Sequence, residues 1–339
     1  LLHANTILQA AHFLKEGQLV SLPTETVYGL AANALDTVAV RKIFEVKGRP
    51  LIDPLIIHVR DLKQAEALAH FTTEAYKVAE AFWPGPLTII LKKKPVVPDL
   101  VTAGLDTVAI RMPKHPLFRA VLEKAGIPLA CPSANPFGYV SPTKAEHVEK
   151  TLGKKIAMVL DGGACEIGLE STILYLGHNE QPKIMRSGPI SREDIEKVLE
   201  CAVAQLEASA TKKSNADEES QNIAQLAPGL LEKHYSPRCS IYLFEQGSAP
   251  KSSAIEAIEG KKIAVVYQKR PQEDIKPVFE NEERFWLSEH GDLEDVARNL
   301  FDLMQVLDNG QYCAMSVERA PDSGIGRAIN DRLSRAAAK

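Results

Sequence analysis

Four cations stand where chemistry could be done: Lys47 and Arg49 in KGRP, Arg111 in DTVAIRMP and Arg186 in KIMRSGP. Each falls at or near the end of a regular segment, and hydroxyls gather at the same kind of place. Thr24, Glu25 and Thr26 crowd one corner of SLPTETVYGL, where Pro23 stops the preceding strand. Ser133 and Asn135 follow the apolar run IPLAC, which ends in Cys131, and Ser141 and Thr143 share their loop. Glu170, Ser171 and Thr172 repeat the carboxylate-plus-hydroxyl theme in GLEST. An arginine on a buried strand needs an anionic partner, because an unpaired buried charge is very costly. For Arg111 that partner is a protein carboxylate such as Glu25, or a bound carboxylate or bicarbonate.

Each residue also has a plainer reading. Lys47, at a helix end, complements the helix dipole. His58, inside PLIIHV, has the setting of a satisfied core histidine. Ser141 or Thr143 caps the helix that SPTKAE starts. A cap and an anion cradle share one geometry, so both readings of the PSAN loop stand. The patterns GxSxG and GxxxxGK[ST] are absent, as are a Ser–His–Asp set and any His/Cys run with metal spacing. Cations and hydroxyls at strand ends suit an enzyme that binds several anionic groups and works by positioning and charge neutralisation.

These residues need a scaffold, and the chain is long enough for two domains: 339 residues, with 45% hydrophobic and 25% charged. A net charge of −4 argues against a nucleic-acid coat or a membrane-surface protein. No apolar run is long enough for a membrane span. The amino-terminal stretch reads as an amphipathic helix rather than a signal peptide. Five scattered cysteines form no CxxC, which makes a reducing cytoplasm the default setting.

Apolar patterning predicts helices over 4–16, 37–47 (capped by Asp36), 61–69, 73–82, 116–125, from about 144, and 194–199. Strands are expected over 18–22, 54–59, within 83–91, 106–113, 127–131, 156–163, 168–176 and 182–190. The segment after Tyr28-Gly29 reads as helix-like. This irregular alternation points to a mixed sheet in an α/β or α+β fold. Composition shifts near residue 200, and 203–225 reads as an exposed linker. A β/α pattern restarts at 239: strands 240–244, 262–267, 284–287 and 312–317, and helices 252–259, 292–307 and 326–336. The expected organisation is 1–200 as the first domain, 201–238 as an interdomain linker, and 239–339 as a small Rossmann-like α/β domain.

PTETVYGL, KGRP, PLIIH, WPGPLT, TAGLDTVAIRMP, PSAN with SPT, GLESTI and APGLLEKHYSP occur here in one order. Together they resemble the YrdC-like family of L-threonylcarbamoyladenylate synthases. The resemblance spans most of 10–200. The region 227–339, closing on GIGRAINDRLSRA, resembles the carboxy-terminal domain of the two-domain form. It implies a twisted mixed sheet around a concave, positively charged cleft. The implied reaction joins L-threonine, bicarbonate and ATP, with Mg2+ accompanying ATP, into threonylcarbamoyl-AMP and pyrophosphate. The product would feed a downstream tRNA-threonylcarbamoyl transferase machinery; contact with tRNA itself is compatible but not required.

By the same resemblance Lys47, Arg49, Ser133, Asn135, Ser141 and Arg186 hold the nucleotide, with Thr107 and Asp53, the latter where the family often has Asn. His234 and Tyr235 close over the cleft from the interdomain segment. Thr26, His58, Arg111 and Ser171 take threonine and the nascent carbamate, helped by backbone groups near Cys131. Lys47, Arg49 and Arg111 are the expected catalytic cations, and no metal is expected to be held by the protein itself. Two rivals remain at this level. An RNA-binding module without catalysis is disfavoured by the charge and the lack of RNP-like aromatics. A hydrogenase-maturation carbamoyltransferase would carry acylphosphatase and zinc-finger segments that this chain lacks.

Overall fold

A computed structural model describes residues 2–177, 180–206, 227, 234–250, 255, 258–272 and 276–338. Ten short strands make one sheet: β1 (Val20–Leu22), β2 (Gly29–Asn33), β3 (Ile56–His58), β4 (Leu87–Lys92), β5 (Thr107–Arg111), β6 (Leu129–Ala130), β7 (Met158–Val159), β8 (Thr172–Tyr175), β9 (Lys183–Arg186) and β10 (Ala204–Gln205). Their order is β10-β9-β8-β4-β5-β3-β6-β2-β1-β7, with parallel and antiparallel pairs mixed, as the irregular alternation predicts.

One face is covered by a large apolar core in which Leu30, Ile57, Ile89 and Ile110 meet Val40, Ile43 and Phe44 of the helix Thr37–Lys47. The other face is covered in two separate patches. One joins Val20, Leu22 and Leu129 to the helices Leu2–Lys15 and Pro116–Ala125; the other joins Ile56, Ile90, Ala109, Ile173 and Met185. Register places polar side chains on this second face, because alternate residues of a strand share a face. His58 pairs with Arg111 across β3 and β5, and Arg111 pairs with Thr88 across β5 and β4. A row of imidazole, guanidinium and hydroxyl cannot take an apolar cover, so the cleft lies here.

The helix-like reading of the segment after Tyr28 is corrected: Gly29–Asn33 is β2, paired antiparallel with β1 and β6. Leucine and alanine favour helix intrinsically, but pairing on both sides overrides so short a segment. Gly29 fits because a Cβ there would lie 2.3 Å from Cys131 Sγ. A second difference concerns the domain boundary, since β10, at 204–205, lies inside the expected linker and pairs parallel with β9. Most of the remaining linker, 207–226 and 228–233, lies outside the described residues, as does most of the expected helix 252–259.

The second sheet is fully parallel, in the order β11-β14-β12-β13, with β11 (Ser240–Phe244), β12 (Lys262–Lys269), β13 (Glu282–Ser288) and β14 (Tyr312–Glu318). The helices Leu293–Leu307 and Ile325–Ala336 pack on one face of it. The first of these also packs on the first domain. Gln305 Nε2 donates to Val140 O at 3.1 Å, and Lys144 Nζ lies 2.9 Å from the Asp302 carboxylate.

Candidate functional site

Arg111 is the anchor of the cleft. It is 4% exposed, and its guanidinium lies 2.7 Å from Glu25 Oε1, 3.0 Å from Thr26 Oγ1 and 3.2 Å from Gly85 O. Of the two partners the sequence left open, the protein carboxylate Glu25 is engaged here. The corner at 24–27 is built by Thr24, whose Oγ1 accepts from the Thr26 and Val27 N–H groups and donates to Val27 O. That turn presents the Thr26 hydroxyl to Arg111. Burial opposes the Glu25 charge, but the Arg111 guanidinium outweighs it and keeps the carboxyl below its usual range.

Arg49 comes from the other side. Asp36 caps the helix Thr37–Lys47 by accepting from Val38 N and Ala39 N, and Gly48 ends it. This throws Arg49 into a rigid turn. There its guanidinium pairs with Asp53 at 2.9 Å and donates to Asp53 O and Pro54 O. Asp53 thus restrains Arg49 and does not line the cleft. Lys47 is buried, and its Nζ donates to Ser133 O at 2.6 Å and Asn135 O at 2.5 Å. Burial and the neighbouring Arg49 hold its pKa well below the ordinary lysine value. Lys47 therefore braces the PSAN loop, more than the dipole complement that its position alone suggests. Arg186 Nη2 donates to Ser171 O and Ser171 Oγ, and Ser171 Oγ is 2.7 Å from Thr88 Oγ1.

Ten of the expected residues line one cavity: Thr26, Arg49, His58, Arg111, Cys131, Ser133, Ser171, Arg186, His234 and Tyr235. Five do not. Besides Lys47 and Asp53, Asn135 turns its Nδ2 to Pro136 O and Tyr139 O, and Ser141 donates to Glu170 Oε1 at 2.5 Å. Thr107 begins β5, four residues from Arg111, and so stands about 13 Å along the strand from the cleft. His58 lies beside Phe118 in a tilted arrangement with ring centroids 5.2 Å apart; its Nδ1 has no hydrogen-bond partner among the described residues. Burial and Arg111 depress its pKa well below 6.5, so the imidazole is neutral. Burial likewise pushes the Cys131 thiol up, which keeps it protonated.

Two residues that the sequence reading gave no place in the site contribute to it, Glu170 of GLEST and Arg332. Glu170 lines the cavity and accepts from Arg332 Nε at 2.8 Å, a residue of the helix Ile325–Ala336 in the other domain. Arg332 is fully buried, and its guanidinium carbon stands 5.2 Å from the Tyr235 ring centroid. The closing GIGRAINDRLSRA motif was its only trace in the sequence. Tyr235 stacks on Phe301 at 5.5 Å, His234 meets Phe137 edge-on at 5.9 Å, and both rings line the cleft. Burial takes the His234 imidazole down to about 3; Glu170 opposes that shift, and Arg49, Lys47 and Arg186 add to it. With both rings inserted, the free cavity is about 50 Å3.

The family described as Telomere recombination matches residues 12–188, and the one described as Threonylcarbamoyl-AMP synthase, C-terminal domain, matches residues 190–338. A threonylcarbamoyl-AMP synthase of Pyrococcus abyssi is 39% identical, covering 96% of this chain and 92% of that protein. That of Bacillus subtilis is 40% identical, covering 98% and 92%. The crystal structure of P. abyssi Sua5 complexed with L-threonine superposes with a TM-score of 0.83 at 38% identity, covering 98% of this chain and 94% of that one.

Proposed function

The chain belongs to the threonylcarbamoyl-AMP synthase family, and from that premise we propose that it condenses L-threonine, bicarbonate and ATP into threonylcarbamoyl-AMP and pyrophosphate, for threonylcarbamoyladenosine in tRNA. The observation that carries this reading is the convergence of Arg49, Arg111 and Arg186 on one cleft, beside the hydroxyls of Thr26 and Ser171. Three guanidiniums held by backbone and carboxylate partners are preorganised for a carboxylate and a polyphosphate together.

The neutral amine of threonine attacks the bicarbonate carbon; a C–N bond forms and water leaves, giving a carbamate. A carbamate oxygen then attacks the α-phosphorus of ATP, and the P–O bond to the β-phosphate breaks with its electron pair on pyrophosphate. Arg111 and Thr26 hold the threonine carboxylate and hydroxyl side, while Arg49 and Arg186 neutralise the phosphates. The depressed pKa of His58 makes it a poor proton acceptor, so it serves as a neutral hydrogen-bonding group. Mg2+ accompanying ATP would supply further neutralisation of phosphate charge beside Arg49 and Arg186.

A free volume of about 50 Å3 is far below the roughly 300–1,000 Å3 of a small-molecule pocket, so His234 and Tyr235 must withdraw before ATP enters. The direct test is pyrophosphate release. It should require ATP, threonine and bicarbonate but no RNA, and Arg49→Ala should slow it by about 10²-fold or more. Normal release by Arg49→Ala would remove Arg49 from this role, and release independent of threonine would overturn the reaction.

A further inference from the structure

The second domain holds a cavity that the synthase reaction leaves unused. We propose that the carboxyl edge of its parallel sheet is a separate binding site for a nucleoside phosphate, with sugar hydroxyls on the floor and phosphate at the rim.

The position follows from topology. The cavity is about 630 Å3, over ten times the free space in the first cleft, and lies just beyond the carboxyl ends of β11, β12, β13 and β14. Gly247, Tyr267, Gln268, Arg270, His290 and Glu318 are among its walls. The chain leaves β11 and β12 toward one face, where Ile255 and Phe279 pack with Phe244 and Val265. It leaves β13 and β14 toward the other, where Leu300 and Ile329 pack with Ala264 and Val266. Since β14 sits between β11 and β12, neighbouring connections diverge on both sides of its end. Open parallel sheets bind ligands in the crevice such a divergence makes. Glu318, the last residue of β14, stands there.

The chemistry is divided between floor and rim. Glu318 is buried, its Oε1 accepting from Gly247 N at 3.2 Å and its Oε2 from Gln268 N at 2.9 Å. Two backbone donors fix the carboxylate and leave lone pairs over. Gln268 is 3% exposed; its Nε2 donates to Glu318 O, and its Oε1 has no partner among the described residues. The floor therefore offers acceptors and calls for donors, which vicinal sugar hydroxyls supply. A strand-end carboxylate reading ribose is the established use of this geometry in dinucleotide folds. The rim carries Lys269, Arg270, Lys276 and His290, with Arg270 also 3.4 Å from Glu289. Cations there suit an anionic end, and the volume suits a mononucleotide.

The experiment is calorimetric titration of the full chain carrying Arg49→Ala and Arg186→Ala, which removes both phosphate-facing guanidiniums of the first cleft. The probes are AMP, GMP, CMP and UMP, with inorganic phosphate and ribose alone as the two half-ligands. We expect one saturable site for at least one nucleotide, tighter than either half-ligand. Adding Glu318→Gln or, on the exposed rim, Lys269→Ala should weaken it by about tenfold. Lys269→Ala in the otherwise unaltered protein should leave pyrophosphate release unchanged, which shows that the domain still folds and docks. Absence of saturable binding, binding insensitive to both substitutions, or phosphate binding as tightly as every nucleotide would each overturn the proposal.

Discussion

Glu25 and Arg111 are both buried and 2.7 Å apart, so each is the other's main compensation for lost water. Glu25→Gln leaves a guanidinium short of its counter-charge and should cost about 3–5 kcal/mol in urea unfolding. The pH dependence has a definite sign. The folded carboxyl lies below its ordinary value of 4.5, so the native state binds its proton less readily than the unfolded chain. The stabilisation is complete above about pH 4.5 and drains away as pH falls through the lower folded value. A Glu25→Gln/Arg111→Gln double variant should lose that part of the acid sensitivity; an unchanged acid slope would refute the assignment. For the imidazoles, burial keeps His58 and His234 neutral. Their ring NMR signals should show no inflection between about pH 5 and 8, where an ordinary histidine titrates.

At the scale of elements, the helix Thr37–Lys47 was legible to the residue, because a side-chain cap and a terminal glycine are local signals. Asp36→Ala should cost about 1 kcal/mol and also loosen Arg49, which that helix aims; a fall in pyrophosphate release beyond the stability loss would report the second effect. The short strands were less legible, since β6 and β7 hold only two residues each and are defined by their partners. Gly168 shows how two elements can require one residue. Its φ is +81°, and a Cβ there would stand 2.5 Å from Arg298 Cα of the helix Leu293–Leu307. Gly168→Ala should cost about 1–3 kcal/mol and be felt as weakened docking of the second domain. Limited proteolysis of the variant should cut between the domains faster than in the parent; equal rates would argue against that contact.

Across the whole molecule, Arg332 ties the carboxy-terminal domain to the cleft through Glu170, whose other oxygen accepts from Ser141. Glu170 is charged in spite of burial because Arg332 and Arg186 face it. Arg332→Met should strand that charge and cost about 3–5 kcal/mol. Pairing it with Glu170→Gln should recover much of the loss. A double-mutant cycle showing additive effects would mean that the two residues act independently. The same contact bears on the shut cleft, since Arg332 also stands over the Tyr235 ring.

The sequence alone determined the residue types, the cations at segment ends, the break near residue 200 and the family, because each is written in local spacing or in motifs kept in order. It could also name Glu25 as a partner for Arg111, since buried charge demands one. It could not separate the residues that line the cleft from those that brace it. Lys47, Asp53, Asn135 and Ser141 belong to the same motifs as Arg49 and Ser133, yet Lys47 and Asn135 turn to carbonyls, Ser141 to the Glu170 carboxylate and Asp53 to the Arg49 guanidinium of their own chain. Which way such a side chain faces depends on partners 1 to 88 residues away. Only the tertiary structure decided that, as it decided that a helix near the carboxyl end delivers Arg332 to the first domain's Glu170.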